Sequence, residues 1–105
     1  MKELANYYTL TVELDFDVWV AIRECQKRSQ LRIVQVLNTL VLDAPINVQC
    51  RHAGVGDKAK ELFLERDGYI KLCEMHLERI ESGEKCKRED LLRGILHWGY
   101  DTGEI

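Results

Sequence analysis

Proline occurs once in 105 residues, and no low-complexity tract interrupts the chain; a collagen-like repeat and a disordered tail are both excluded. No stretch approaches the roughly 18 consecutive apolar residues that a membrane-spanning helix needs. An excess of one charge is also missing. The formal net charge is −3, with five basic against six acidic residues in 1–49 and ten against twelve in 50–105. Neither half is a basic tail, so nucleic acid would have to be held by a local basic patch rather than by bulk charge. The opening Met1-Lys2-Glu3-Leu4-Ala5-Asn6 carries an acidic residue and no apolar run, which is not the layout of a secretory signal. A soluble, cytoplasmic protein is expected. Cys25, Cys50, Cys73 and Cys86 form an even set, which in a secreted chain would suggest two disulfides; here they read as reduced thiols or metal ligands.

Hydrophobic residues at 46% and charged residues at 31% describe an ordinary globular chain, of a length that suits one cooperative domain. From Tyr8 to Leu14 the residues alternate, with Tyr8, Leu10, Val12 and Leu14 on one face and Thr9, Thr11 and Glu13 on the other, as in a strand with one buried side. Asp15 then offers a helix N-cap, and Val18, Trp19, Ile22 and Cys25 recur at helical spacing up to the polar run Gln26-Lys27-Arg28-Ser29-Gln30. A second helical period runs through Ile33, Val34, Val36, Leu37, Leu40 and Val41, until Asp43-Ala44-Pro45 stops it. Strand, helix, turn, helix is thus the reading of residues 1–45.

Beyond Pro45 the pattern weakens. Ile46-Asn47-Val48-Gln49-Cys50 alternates briefly, as a short strand or an extended linker, before the loop Ala53-Gly54-Val55-Gly56. Asp57 reads as the cap of a helix through Lys58–Arg66, and after Gly68 a stronger stripe follows at Tyr69, Leu72, Cys73, His76, Leu77 and Ile80, ending at Ser82-Gly83. A last helix opens on Glu89-Asp90, continues through Leu91, Leu92, Ile95, Leu96 and Trp98, and closes at Gly99. The expected fold is mostly α with one N-terminal strand, residues 46–105 forming a helical extension packed on residues 1–45. A faint internal echo links Leu10–Leu14 with Ile46–Cys50 and offers Arg88–Arg93 as a repeated second helix, but the long interval between those two segments argues against a tandem repeat.

Leu10-Thr11-Val12-Glu13-Leu14, then Val18, Trp19, Ile22 and Cys25, then Val36, Leu37, Leu40 and Val41 together resemble the ribbon-helix-helix family of DNA-binding proteins, over about residues 8–43. The resemblance implies a homodimer in which strands of two subunits pair into an antiparallel ribbon that enters the major groove, above interlocked helix pairs. Physics points the same way, because a lone strand satisfies neither its edge nor its apolar face. It further implies that Thr9, Thr11 and Glu13 face the groove, where hydroxyls suit base edges and a carboxylate accepts from a cytosine amino group. Lys27, Arg28 and Arg32 would meet phosphates. Ile33, Val34 and Leu42 widen the second helix's apolar surface beyond that dimer, and the later amphipathic helices are expected to cover it.

Two further constellations carry chemistry. Cys50-Arg51-His52 and Cys73-Glu74-Met75-His76 pair a Cys and a His at spacings that share a face in a strand and a helix respectively, so Cys50, His52, Cys73 and His76 are the candidate zinc ligands, with Cys86 as a substitute. Core packing of Cys73 and His76 on their helix is the competing reading. Ala53–Lys58 lacks the spacing and the Lys-Ser/Thr ending of a phosphate loop. No third residue or oxyanion-hole motif accompanies a Cys–His pair, so no enzyme is expected. Trp98 and Tyr100 read as aromatics that close a helix on the core. The leading expectation is a sequence-specific DNA-binding transcriptional regulator, a repressor, acting as a homodimer. The alternative is a small viral or plasmid-borne inhibitor or interaction module that keeps the fold without DNA, which the acidic balance and Glu13 favour.

Overall fold

The computed structural model describes residues 7–105; Met1–Asn6, read above for its lack of a secretory layout, lies outside the described residues. The order is β1 (Tyr7–Leu14), α1 (Phe16–Ser29), α2 (Ile33–Asp43), β2 (Lys58–Glu65), α3 (Arg66–Glu81) and α4 (Arg88–Thr102). The fold is mostly helical with one two-stranded antiparallel sheet. Among the described residues no helix is long and apolar enough to cross a membrane.

The first three elements form as their residues dictate. Leu10, Val12 and Leu14 are buried on one side of β1 while Thr9, Thr11 and Glu13 stay exposed. The Asp15 carboxylate accepts from the Asp17 amide at 2.8 Å and starts α1. That helix ends where Gln30 takes a left-handed conformation, φ 60°. The α2 entry has no small polar cap; instead the Arg32 amide donates to the Gln35 side chain at 2.8 Å.

The second half departs from expectation. Lys58–Glu65 is a strand, not a helix, and it pairs with β1 over eight residues, from Tyr7 opposite Glu65 to Leu14 opposite Lys58. The physical reason is tertiary. Lys-Ala-Lys-Glu-Leu-Phe-Leu-Glu is rich in helix formers, but its Leu62 and Leu64, opposite Leu10 and Tyr8, bury completely once β1 supplies the ladder. Asp57 closes the turn ahead of this strand by accepting from the Gly54 amide, rather than capping a helix. Gly68 does not interrupt either. It sits in the first turn of α3, where a Cβ would fall 1.9 Å from the Asn38 Oδ1 of α2; the missing side chain lets the two helices touch. The buried face of α3 is therefore Gly68, Leu72 and Met75, and Leu77 and Ile80 of the expected stripe are more than half exposed.

The chain is a strand–helix–helix unit used twice. Val12, Leu14 and Ile22 have counterparts fifty residues later in Leu62, Leu64 and Leu72, and Val36, Leu37, Leu40 and Val41 have counterparts fifty-five residues later in Leu91, Leu92, Ile95 and Leu96; all of these are buried. The ladder has the same symmetry. Thr11 pairs with Glu61, its own counterpart, so the register is that of a two-fold axis through that pair. The echo in the sequence had the second helix right and the second strand wrong: Ile46–Cys50 belongs to an irregular linker.

That linker, residues 44–57, is held by basic side chains of the second unit. Lys71 donates to the Ala44 carbonyl at 3.0 Å, Arg79 to that of Ile46 at 2.8 Å, and Arg93 to that of Arg51 at 2.6 Å. At Gly94 the linker comes so close that a Cβ would lie 1.9 Å from the Gln49 oxygen. Cys50 is joined to Cys86 in a disulfide, whereas Cys25 and Cys73 are free; the expectation of reduced thiols or metal ligands is corrected for one pair, because the linker crosses the loop that precedes α4.

Candidate functional site

The outward side of the ribbon is the surface that the sheet's alternation creates. Thr9, Thr11 and Glu13 lie together there, as the sequence predicts, and opposite them stand Phe63, Glu61 and Ala59; Tyr7 faces Glu65 at the end. Three carboxylates therefore share this face with two hydroxyls and two aromatic rings. Among the described residues, no Lys or Arg of either strand belongs to it. The lysines of β2 fall on the other parity, and Lys60 lies 5.0 Å from the Trp19 ring centroid of α1, over its face. Glu61, Phe63 and Glu65 were missed by sequence reasoning because their segment reads as a helix, although the alternation Leu62, Leu64 was a usable signal.

Two basic residues flank the ribbon at equivalent positions. Arg32 is the N-cap of α2 and Lys87 the N-cap of α4, fifty-five residues later. Arg32 donates to the Tyr7 hydroxyl and sits 5.7 Å from that ring's centroid. Lys87 lines an open surface pocket with Thr11, Glu13 and Ala59. Lys27 and Arg28, expected at phosphates, occupy the exposed last turn of α1, where positive charge complements the free carbonyls.

Beneath the ribbon, Tyr8 stacks on Tyr69 of α3 at 4.5 Å between centroids. Arg88 donates to the Tyr69 hydroxyl and lies 3.7 Å from the Cys73 sulfur. Burial, followed by the hydrogen bond with Cys73, raises the Tyr69 pKa above its ordinary value. Further along α4, burial and then the charge of Arg51 push His97 below the usual histidine range, against the opposing pull of Asp101, Asp15 and Asp57.

The four candidate zinc ligands do not converge. Cys50 is bonded to Cys86; His52 is largely exposed and pairs with Asp90 at 3.2 Å; Cys73 belongs to the Tyr69–Arg88 cluster; and His76 meets the Cys86 carbonyl at 2.6 Å. The grouping fails because α3 turns Cys73 and His76 toward different neighbours. A different set does converge among the described residues, namely Cys50, Glu84 and Cys86, whose ligand atoms all lie within 4.8 Å of one another. Comparison with protein-family models, curated proteins and solved structures finds no match for this chain.

Proposed function

We propose that this chain is a single-chain counterpart of a ribbon-helix-helix dimer that works as a protein-binding module, its ribbon docking against a cationic segment of a partner protein. The second strand takes the place that another subunit's strand has in that family, and the ladder's symmetry about Thr11 and Glu61 supports the reading. The observation that carries the function is the outward ribbon face, with Glu13, Glu61 and Glu65 and, among the described residues, no Lys or Arg contributed by either strand. A carboxylate held about 7 Å from a phosphate costs about 0.6 kcal/mol in bulk water and more in a partly desolvated groove. Three of them in one groove offset much of what a few hydroxyl contacts contribute. Against an arginine- or lysine-rich segment the same charges attract, and Phe63 adds a stacking surface for a guanidinium group.

A second reading, the DNA-binding repressor, is favoured by one specific observation. Arg32 and Lys87 cap the second helices at equivalent sites on either side of the ribbon, where the family holds phosphates. Fluorescence anisotropy separates the two. A labelled arginine-rich peptide should bind the wild-type chain, weaken as salt rises, and lose at least tenfold in affinity when Glu13, Glu61 and Glu65 are replaced by Gln. Duplex DNA should bind weakly and without sequence preference. Specific duplex binding at physiological salt that falls on Arg32→Ala and Thr11→Ala would refute the protein-binding reading and establish the other.

A further inference from the structure

The linker and the loop between α3 and α4, 36 residues apart in sequence at their cysteines, meet at one point. We propose that, when the disulfide is reduced, Cys50, Glu84 and Cys86 bind a thiophilic divalent cation such as zinc, and that oxidation back to the disulfide expels it. Neither reading of the ribbon is needed for this.

The geometry fits the ion. Zinc holds thiolate sulfur at about 2.3 Å and carboxylate oxygen at about 2.0–2.2 Å, so tetrahedral ligand atoms sit about 3.5–3.8 Å apart. The Glu84 carboxylate lies within 4.8 Å of both sulfurs, and the sulfurs, bonded to each other in the disulfide across a Cα separation of 6.4 Å, part on reduction to make room for an ion. Cys86 is buried at 8% exposure, and Cys50 is half-buried. The charges fit as well. Two thiolates and a carboxylate around one divalent ion leave a single negative charge, and Arg79 is placed to meet it, 3.6 Å from the Cys50 sulfur and 3.8 Å from Glu84. Its guanidinium is fixed by the Ile46 and Val48 carbonyls, which makes it the outer hydrogen-bond donor that metal sites use to orient their ligands. The fourth position is left to water. Glu84 has no part in the disulfide; the metal gives it one.

The chemistry balances. A dithiol reductant passes two electrons and two protons to the Cys50–Cys86 bond, giving two thiols and the reductant's own cyclic disulfide. Zinc then displaces the two thiol protons and forms two zinc–sulfur bonds. A peroxide reverses the process: the thiolates surrender two electrons and form the S–S bond, zinc leaves, and the peroxide takes up the electrons with two protons to give water.

The test uses the full chain, reduced with a dithiol, desalted without oxygen, exposed to zinc and desalted again. Metal analysis should find about one zinc per chain, and cobalt should give a thiolate-to-metal charge-transfer band. Hydrogen peroxide should release the metal as the free-thiol count falls by two. Cys86→Ser should abolish binding, Glu84→Gln should weaken it at least tenfold, and Cys73→Ser should leave it unchanged. Reduced wild type that retains no zinc, or Cys86→Ser that retains as much, overturns the proposal. Should the cysteine variant fail to fold, Glu84→Gln decides alone, and an unchanged affinity there rejects the site.

Discussion

Replacing Arg93 by Met should be among the most damaging single changes in this chain. The residue is buried at 4% exposure on α4, and its guanidinium makes three bonds that no neighbour can replace. It donates to the Glu13 carbonyl at the end of β1 at 2.7 Å, to the Arg51 carbonyl in the linker at 2.6 Å, and to the Asp90 carboxylate at 2.7 Å. One side chain thus ties the first strand, the linker and α4 together. Methionine keeps the apolar stem but leaves the Asp90 charge, itself 8% exposed, with the solvent-exposed His52 as its remaining ion-pair partner among the described residues. Breaking a buried pair by removing one partner costs about 3–5 kcal/mol. For a chain of this length the unfolding entropy is about 0.2 kcal/mol per degree, so Tm should fall by about 15–25 °C. Replacing both members, Arg93→Met with Asp90→Leu, removes the stranded charge and should recover part of the loss. Thermal and urea denaturation of the two single variants and the double variant measure the coupling directly. A stability loss under 1 kcal/mol for Arg93→Met, or a double variant no better than the worse single one, would refute the reasoning.

Three further outcomes follow from the packing and the charges. Gly94→Ala places a Cβ 1.9 Å from the Gln49 oxygen, a backbone atom that cannot rotate away; the linker must lift, at a cost of about 1–3 kcal/mol, and hydrogen exchange should show residues 47–52 opening while β1 and β2 stay protected. Because folding lowers the His97 pKa through burial, the unfolded chain takes up the proton first; stability is complete above the unfolded value of about 6.5 and falls as pH drops below it, and denaturation from pH 7.5 to 5 should lose this slope in His97→Gln. Since β1 meets its partner strand within the chain, sedimentation at micromolar concentration should give the 12.3 kDa mass of one chain, and a dimer there would mean that some other surface associates.

The first unit was legible because each of its signals is local. Alternation at Leu10, Val12 and Leu14 and the cap at Asp15 need no knowledge of the rest of the chain, and the acidic first turn of α4 at Glu89 and Asp90 was equally plain. β2 was not legible, because its Lys, Ala, Glu and Leu residues prefer helix and only the ladder with β1 overrides them. The homodimer expectation rested on β1 having no partner within the chain, and β2 supplies one. The linker was opaque for a related reason. Its own residues specify little, and its path is set by Lys71, Arg79 and Arg93 from elements that follow it. Half of the candidate site, Thr9, Thr11 and Glu13, came with β1; Glu61, Phe63 and Glu65 were hidden with β2.

The fourteen-residue linker between the two units also changes the kinetics of the fold. Where two separate chains must collide to complete a ribbon, its lifetime depends on dilution, and subunits exchange with any related chain in the same cell. Here the second strand is always present at the effective concentration that a short tether enforces, on the order of millimolar for a flexible one. The ribbon should close by a first-order step and survive dilution to single copies per cell. It should also be deaf to mixing, since no free half exists to be captured by a homologue. The two ends of its outward face are then at liberty to differ, with Thr9 and Phe63 opposed at one end and Glu13 and Ala59 at the other, so that a partner would meet them in one orientation only.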